Sequence, residues 1–221
     1  MATIVTPKAK KITATKYVTI SMANTKLGKI PSFSLPSITT CPGATSWCVK
    51  ACYAQRLERQ YKNVNKSYEM NLDTALNNKD FVLIMNTEIS KLVNKGITTF
   101  RWHVSGDWVS CKYIYDWVNI VKSNPTMTFY GYTRSWCVPN LLPHLENLKK
   151  LSNVVLFAST DVTTTETVPL GWREAFAGDV MPNNKPKMIT CLEQAGKLDS
   201  CDKCKLCFNN KSTVNIYFKT H

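Results

Sequence analysis

Between residues 98 and 158 the chain alternates two kinds of pattern, and this alternation limits its possible folds more than any other feature. Three short runs rich in β-branched and aromatic residues, TTFRWHV (98–104), MTFYGY (127–132) and NVVLFA (153–158), read as strands. Between them lie CKYIYDWVNIVKS (111–123) and PNLLPHLENLKKL (139–151), whose apolar residues recur at helical spacing. Strand–helix–strand spacing of this kind argues for parallel strands joined by crossover helices. Upstream, NKSYEMNLDTALNN and DFVLIMNTEISKLVNK have helical periodicity, with Asp80 and Gly96 as start and stop signals for the second. A fourth strand-like run, TVNIYF (213–218), closes the chain. With 221 residues and 44% hydrophobic content, a single domain over 1–221 is expected. It divides into a basic segment (1–60), a βα core (61–160) and a C-terminal cysteine-rich segment with the last strand (161–221).

Each strand-like run ends in polar residues: HVSGD, GYTRS, FASTD and FKTH. In parallel α/β proteins the loops after the strands converge on one rim, and sites gather there. His103, Asp107, Arg134, Asp161 and His221 are therefore the candidate catalytic residues, with Thr160 beside them. Ser105, Thr133, Ser159 and Lys219 are candidate cofactor contacts, with helix capping the plainer role for Ser105 and Thr133. Asp107, Arg134 and Asp161 would also pair structurally if their strand ends are adjacent.

Nine cysteines need a reason. The start of the chain carries no apolar stretch suited to a secretion signal, and no run of 18 apolar residues occurs, so a cytoplasmic protein without membrane contact is expected. Thiols there stay reduced, and grouped cysteines read as metal ligands. Cys191, Cys201, Cys204 and Cys207 form C-x9-C-x2-C-x2-C. Three thiols at successive C-x2-C steps suit the corner of an iron–sulfur cube better than the paired knuckles of zinc. Asp202, Lys203 and Lys205 make this segment too polar for core. Cys41, Cys48 and Cys52, in TCPGATSWCVKACYAQ, make a second group spaced C-x6-C-x3-C. Cys111 opens an amphipathic helix and reads as core, and Cys137 as a loop thiol without a function.

The net charge is +13, and residues 1–57 carry eight Lys or Arg and no acid. A basic face of this kind can attract nucleic acid or another polyanion. A solvated surface is the alternative, since metal–thiolate groups would add negative charge that formal counting omits. Two clusters on these seven thiols would lower the total to about +10.

The segments KLGKIPSFSLP, CPGATSWCVKACYA, FRWHVSGDW, FYGYTRSW, the last cysteine group and IYFKTH together resemble the phage protein family typified by gene product eighty-eight of mycobacteriophages, from roughly residue 20 to the end. The resemblance implies a phage or prophage origin, hence a host-cytoplasm location, and use of the same seven cysteines, with His221 at the chain end. The C-x3-C pair followed by an aromatic residue is also similar to the opening of the radical SAM motif, although Gln55 stands where that motif has its third cysteine, and Cys41 would have to replace it. By analogy of fold, the expected class is α/β, a partial parallel β/α barrel with its cysteine-rich ends closing around a metal cluster. The functional expectation is an iron–sulfur protein with one or two 4Fe–4S clusters, with S-adenosylmethionine at an open iron and an electron donor as partner. One cluster ligated from both chain ends, and a zinc-stabilised nucleic-acid-binding protein, are the alternatives.

Overall fold

The computed structural model describes residues 17–22, 24–183, 185 and 187–220. Seven strands, β1 (Ser32–Phe33), β2 (Thr99–Trp102), β3 (Thr128–Thr133), β4 (Val154–Asp161), β5 (Arg173–Gly178), β6 (Met188–Thr190) and β7 (Asn215–Lys219), form one sheet in the order β1-β2-β3-β4-β5-β7-β6. Every neighbouring pair is parallel, as the crossover spacing requires. Four helices, α1 (Ser46–Lys50), α2 (Tyr53–Gln60), α3 (Lys62–Asn77) and α4 (Phe81–Val93), come between β1 and β2. Helices α5 (Cys111–Ser123) and α6 (Leu142–Lys149) are the crossovers from β2 to β3 and from β3 to β4, and the single turn α7 (Cys201–Cys204) precedes β7.

Both faces of the sheet are buried, as a parallel sheet demands. Because side chains alternate along a strand, each strand divides its residues between two apolar layers. Phe100, Trp102, Phe129, Val154 and Leu156 point toward α4, α5 and α6. Trp117 of α5 sits at the centre of that layer, with ring contacts to Phe33, Phe81, Phe100, Trp102, Tyr113 and Phe129. On the other face, Tyr130, Val155 and Phe157 pack with Leu27, Ile30, Cys191 and Ile216, and Cys201, Cys207 and Phe208 lie against them. Helices cover one face. Loops carrying the C-terminal cysteines cover the other.

Strands β2, β3, β4 and β7 fall within or beside the four runs read from sequence. Three further strands did not show there. β1 has two residues and β6 three, too short for any period to register. REAFAG in β5 is interrupted by Glu174 and Gly178, and Glu174 is buried only because Thr160 and Lys185 serve its carboxylate. Asp80 stands at the N-cap of α4 without a capping side-chain bond. Among the described residues, no helix is long and apolar enough to cross a membrane.

Candidate functional site

The carboxyl ends of the strands open into a cavity of about 600 Å³. Cys41, Cys48 and Cys52 line it, as do His103, Asp107 and Arg134. The three thiols arrive from different elements. Cys41 sits on a turn, its N–H donating to the Ile38 carbonyl at 3.0 Å. Next to it, Gly43 permits a close approach: a Cβ there would lie 2.2 Å from the Arg134 carbonyl oxygen, so the turn packs directly on the end of β3. Cys48 is on α1, whose N-cap Thr45 accepts the Cys48 N–H through Oγ1 at 3.0 Å. Cys52 is the N-cap residue of α2.

Two acids hold this rim together. Asp107 Oδ2 accepts the N–H groups of Arg134 and Ser135 at 2.7 and 3.0 Å, and Oδ1 accepts that of Trp108 at 2.8 Å. It thereby ties the β2 end to the β3 end. Burial nonetheless pushes its carboxyl above the ordinary range, against these hydrogen bonds. Asp161 forms a buried ion pair with Arg134, Nη2 to Oδ2 at 2.8 Å, and accepts from Thr45 Oγ1 at 2.6 Å. Burial alone would raise Asp161, but hydrogen bonds from Thr163 and Thr45 and the Arg134 charge leave it lowered. A chain of contacts, Arg134–Asp161–Thr45–Cys48, thus positions one thiol from the ends of β3 and β4.

Ser105 and Thr133 both make structural bonds. Ser105 Oγ donates to Glu58 Oε1 at 2.6 Å, and that oxygen also takes the Ser37 N–H at 2.9 Å, anchoring α2. Thr133 Oγ1 accepts the Ser135 N–H at 2.9 Å. The Ser159 carbonyl accepts from Trp136 Nε1 at 2.9 Å, and the Lys219 backbone is bracketed by the Gln194 amide. Ser159, Thr160 and Lys219 all line the cavity. His221 lies outside the described residues, as do Lys8, Lys10, Lys11 and Lys16 of the basic segment.

His103 directly follows β2 with φ of 50°, a left-handed backbone that is uncommon outside glycine. Its Nε2 is 2.9 Å from Tyr113 Oη and its ring meets Trp108 edge-on at 4.8 Å. Nδ1 is buried without a hydrogen-bond partner among the described residues. Burial, and then the Arg101 charge, lower its pKa to about 3, so the imidazole is neutral.

The cysteines form two neighbourhoods. At the cavity, the Cys41 thiol is pushed up to about 12, first by burial, then by Asp107 and by the nearby Cys48 and Cys52. Burial also raises Cys48, with Arg134 acting against it. In the second layer, burial pushes Cys201 up to about 12; Arg101 opposes the rise while Cys207 and Cys191 add to it. Cys204 is half-buried on the same turn, α7. Thiols this costly to ionise stay neutral until a cation joins them, and sulfur-only donors suit zinc or iron–sulfur centres rather than oxygen-bound metals. Among the described residues, no three His, Cys, Asp or Glu side chains converge closely enough to hold one ion. A cluster spreads its thiolates over different irons, so it asks for a wider set of sulfurs than one ion does. Cys111 packs against the helical-side core, and Cys137 Sγ donates to the Arg134 carbonyl at 3.0 Å.

A match to the model of the family described as Gene product 88 runs over residues 4–210. The chain belongs to this family. The Gene 88 protein of Mycobacterium phage L5 is 28% identical over 232 residues, covering 93% of this chain and 94% of its own length. That of Mycobacterium phage D29 is 28% identical over 240 residues, covering 97% of each. No solved structure matches. The Gene product 88 match starts earlier than the motifs suggest, within the basic segment, and ends before β7. Sequence reasoning passed over Arg101, Thr45 and Glu58 of this family member. Arg101 was hidden inside a strand-like run, although the alternation Phe100–Arg101–Trp102 already assigns it to the face opposite the aromatic core.

Proposed function

We propose that this protein holds an iron–sulfur cluster on Cys41, Cys48 and Cys52 and works on a small molecule in the cavity that they line. The observation that carries this reading is that three thiols, from a turn, a helix and a helix N-cap, all line the one cavity at the carboxyl ends of parallel strands. A strand order that is sequential from β1 to β5, with helices over one face and cysteine loops over the other, supports a partial β/α barrel closed by those loops. Cys41, Cys48 and Cys52 would hold such a cluster, which would supply one-electron chemistry to a bound molecule, S-adenosylmethionine being the class to test.

The chain's own residues prepare the cavity. Asp161 and Thr45 fix Cys48, and Tyr53 fixes the start of α2 by donating to the Val104 carbonyl at 2.7 Å. Arg134 brings charge to the cavity wall but is held there by Asp161. His103 offers a neutral ring, suited to hydrogen bonding rather than to acid catalysis at neutral pH.

Iron and acid-labile sulfide analysis of anaerobically reconstituted protein tests the reading. Wild type is expected to be brown with matched iron and sulfide. Cys48→Ser should lose at least half of the iron, and Cys111→Ser none. Release of 5′-deoxyadenosine from S-adenosylmethionine by the reduced protein would extend the reading to radical chemistry. Colourless protein with stoichiometric zinc would instead favour a zinc-stabilised nucleic-acid-binding protein. One surface supports that second reading: α2 exposes Tyr53 and Leu57 alongside Arg56 and Arg59, with Tyr61 exposed at its C-cap, a basic and aromatic surface able to stack bases.

A further inference from the structure

Arg101 is 8% exposed, in the middle of β2, on the sheet face that carries the C-terminal cysteines. A guanidinium stays charged at any working pH, and burying it without an anion is strongly unfavourable. Among the described residues, no carboxylate pairs with it. Its Nε has no hydrogen-bond partner among the described residues, and the rings of Tyr132 and Tyr130 lie 5.0 and 6.0 Å from the guanidinium carbon. Tyrosine faces offset only part of that cost.

A second arginine converges on the same place. Arg173 lies over the Phe157 ring at 4.2 Å and donates to the carbonyls of Val214, Leu206 and Asn209 at 2.9, 3.2 and 3.3 Å. These are neutral acceptors on the loop that carries Cys207. Two positive charges therefore lie beside Cys201 and Cys207, and among the described residues neither forms an ion pair with a carboxylate. Arg101 acts on both Cys201 and Cys207, and Arg173 on Cys207.

We infer that Arg101 is the buried counter-charge of an anionic metal–thiolate centre on the C-terminal cysteines, so that its positive charge is balanced only when those thiols are ionised around metal. This rests on the proposed iron–sulfur reading and extends it to a second centre. A four-thiolate 4Fe–4S centre is a net anion, and charge and hydrogen bonding around the sulfurs set how firmly it is held and how readily it is reduced. Arg101 also lines the cavity of the first thiol group, which places one cation between the two neighbourhoods. It acts through the thiolates and is a positioning residue.

The test compares Arg101→Met and Arg101→Lys with wild type, each metal-free and each reconstituted with iron and sulfide under anaerobic conditions. The readouts are the melting temperature of both forms and the iron retained against a chelator. Arg101→Met should raise the melting temperature of the metal-free protein, because an uncompensated buried charge is gone. The same variant, when loaded, should melt lower than loaded wild type and surrender iron at a tenfold lower chelator concentration. Arg101→Lys, which keeps the charge, should stay within threefold of wild type in iron retention. An arginine needed only for packing would lower both melting temperatures, and that pattern overturns the inference, as does failure of metal-free Arg101→Met to fold. Iron retention by Arg101→Met equal to wild type overturns it too while leaving the iron–sulfur reading intact. Wild type that takes up no iron overturns both.

Discussion

The His103 side chain combines a left-handed backbone, a ring packed against Trp108 and a nitrogen without a partner among the described residues. Its neutrality has a consequence for stability. The folded value is near 3 and the ordinary value is 6.5, so between those limits the unfolded chain binds the proton better. Stability is then complete above the unfolded value and is lost as pH falls through this window, by up to about 1.4 kcal/mol per pH unit. His103→Asn removes the titrating ring, and asparagine tolerates a positive φ. Melting temperatures taken from about pH 7 to pH 4 should fall more steeply for wild type than for the variant. Parallel curves would show that His103 does not titrate as its burial implies. Asp161 belongs to the same rim but acts oppositely in cause: its partners hold it ionised.

At the scale of elements, the C-terminal turn α7 is docked by the segment that precedes β1. The Cys201 N–H donates to the Lys26 carbonyl at 2.8 Å, and Asp202 Oδ2 accepts the Lys29 N–H at 3.1 Å. Gly28 sits between these contacts with φ of 67°, and a Cβ there would fall 2.2 Å from Asp202 Oδ1. Gly28→Ala therefore meets both a disfavoured backbone and a collision, and should cost about 1–3 kcal/mol. Its particular signature is local. Cys201, Cys204 and Cys207 should react faster with a thiol reagent in the metal-free variant than in metal-free wild type, while Cys111 keeps its rate. Equal rates at all of these thiols would mean that the Asp202–Lys29 contact does not dock α7. The N-terminal thiols have their own supports, Thr45 for α1 and Glu58 for α2, so the two groups are carried by different joints.

For the molecule as a whole, the aromatic layer and the cysteine layer lie on opposite faces of one sheet. None of the seven grouped cysteines belongs to the aromatic layer. Trp117→Ala should cost about 3–5 kcal/mol, because six ring neighbours lose their common partner. Cys191→Ser should instead leave far-ultraviolet circular dichroism close to wild type while reducing the iron content. Denaturant melts and iron analysis on the two variants separate scaffold from site. A collapse of secondary structure in Cys191→Ser would place the cysteine layer within the folding core.

Much of this architecture is legible before any coordinates. Crossover helices between TTFRWHV, MTFYGY and NVVLFA dictate parallel strands, because the connections are long and helical in period. That topology alone brings His103, Asp107, Arg134 and Asp161 to one rim. Spacing also divides the grouped cysteines into an upstream and a downstream set. Only the tertiary structure decided which charges meet. Arg134 pairs with Asp161 because β3 and β4 are neighbours, and Asp107 bonds the Arg134 and Ser135 backbone because β2 and β3 are. The short strands β1 and β6 owe their existence to the partners they extend, which no local pattern encodes. Arg101 is the clearest case: period two assigns its face, but that the residue is buried there, without an ion pair among the described residues and beside Cys201 and Cys207, depends on loops distant in sequence folding over it.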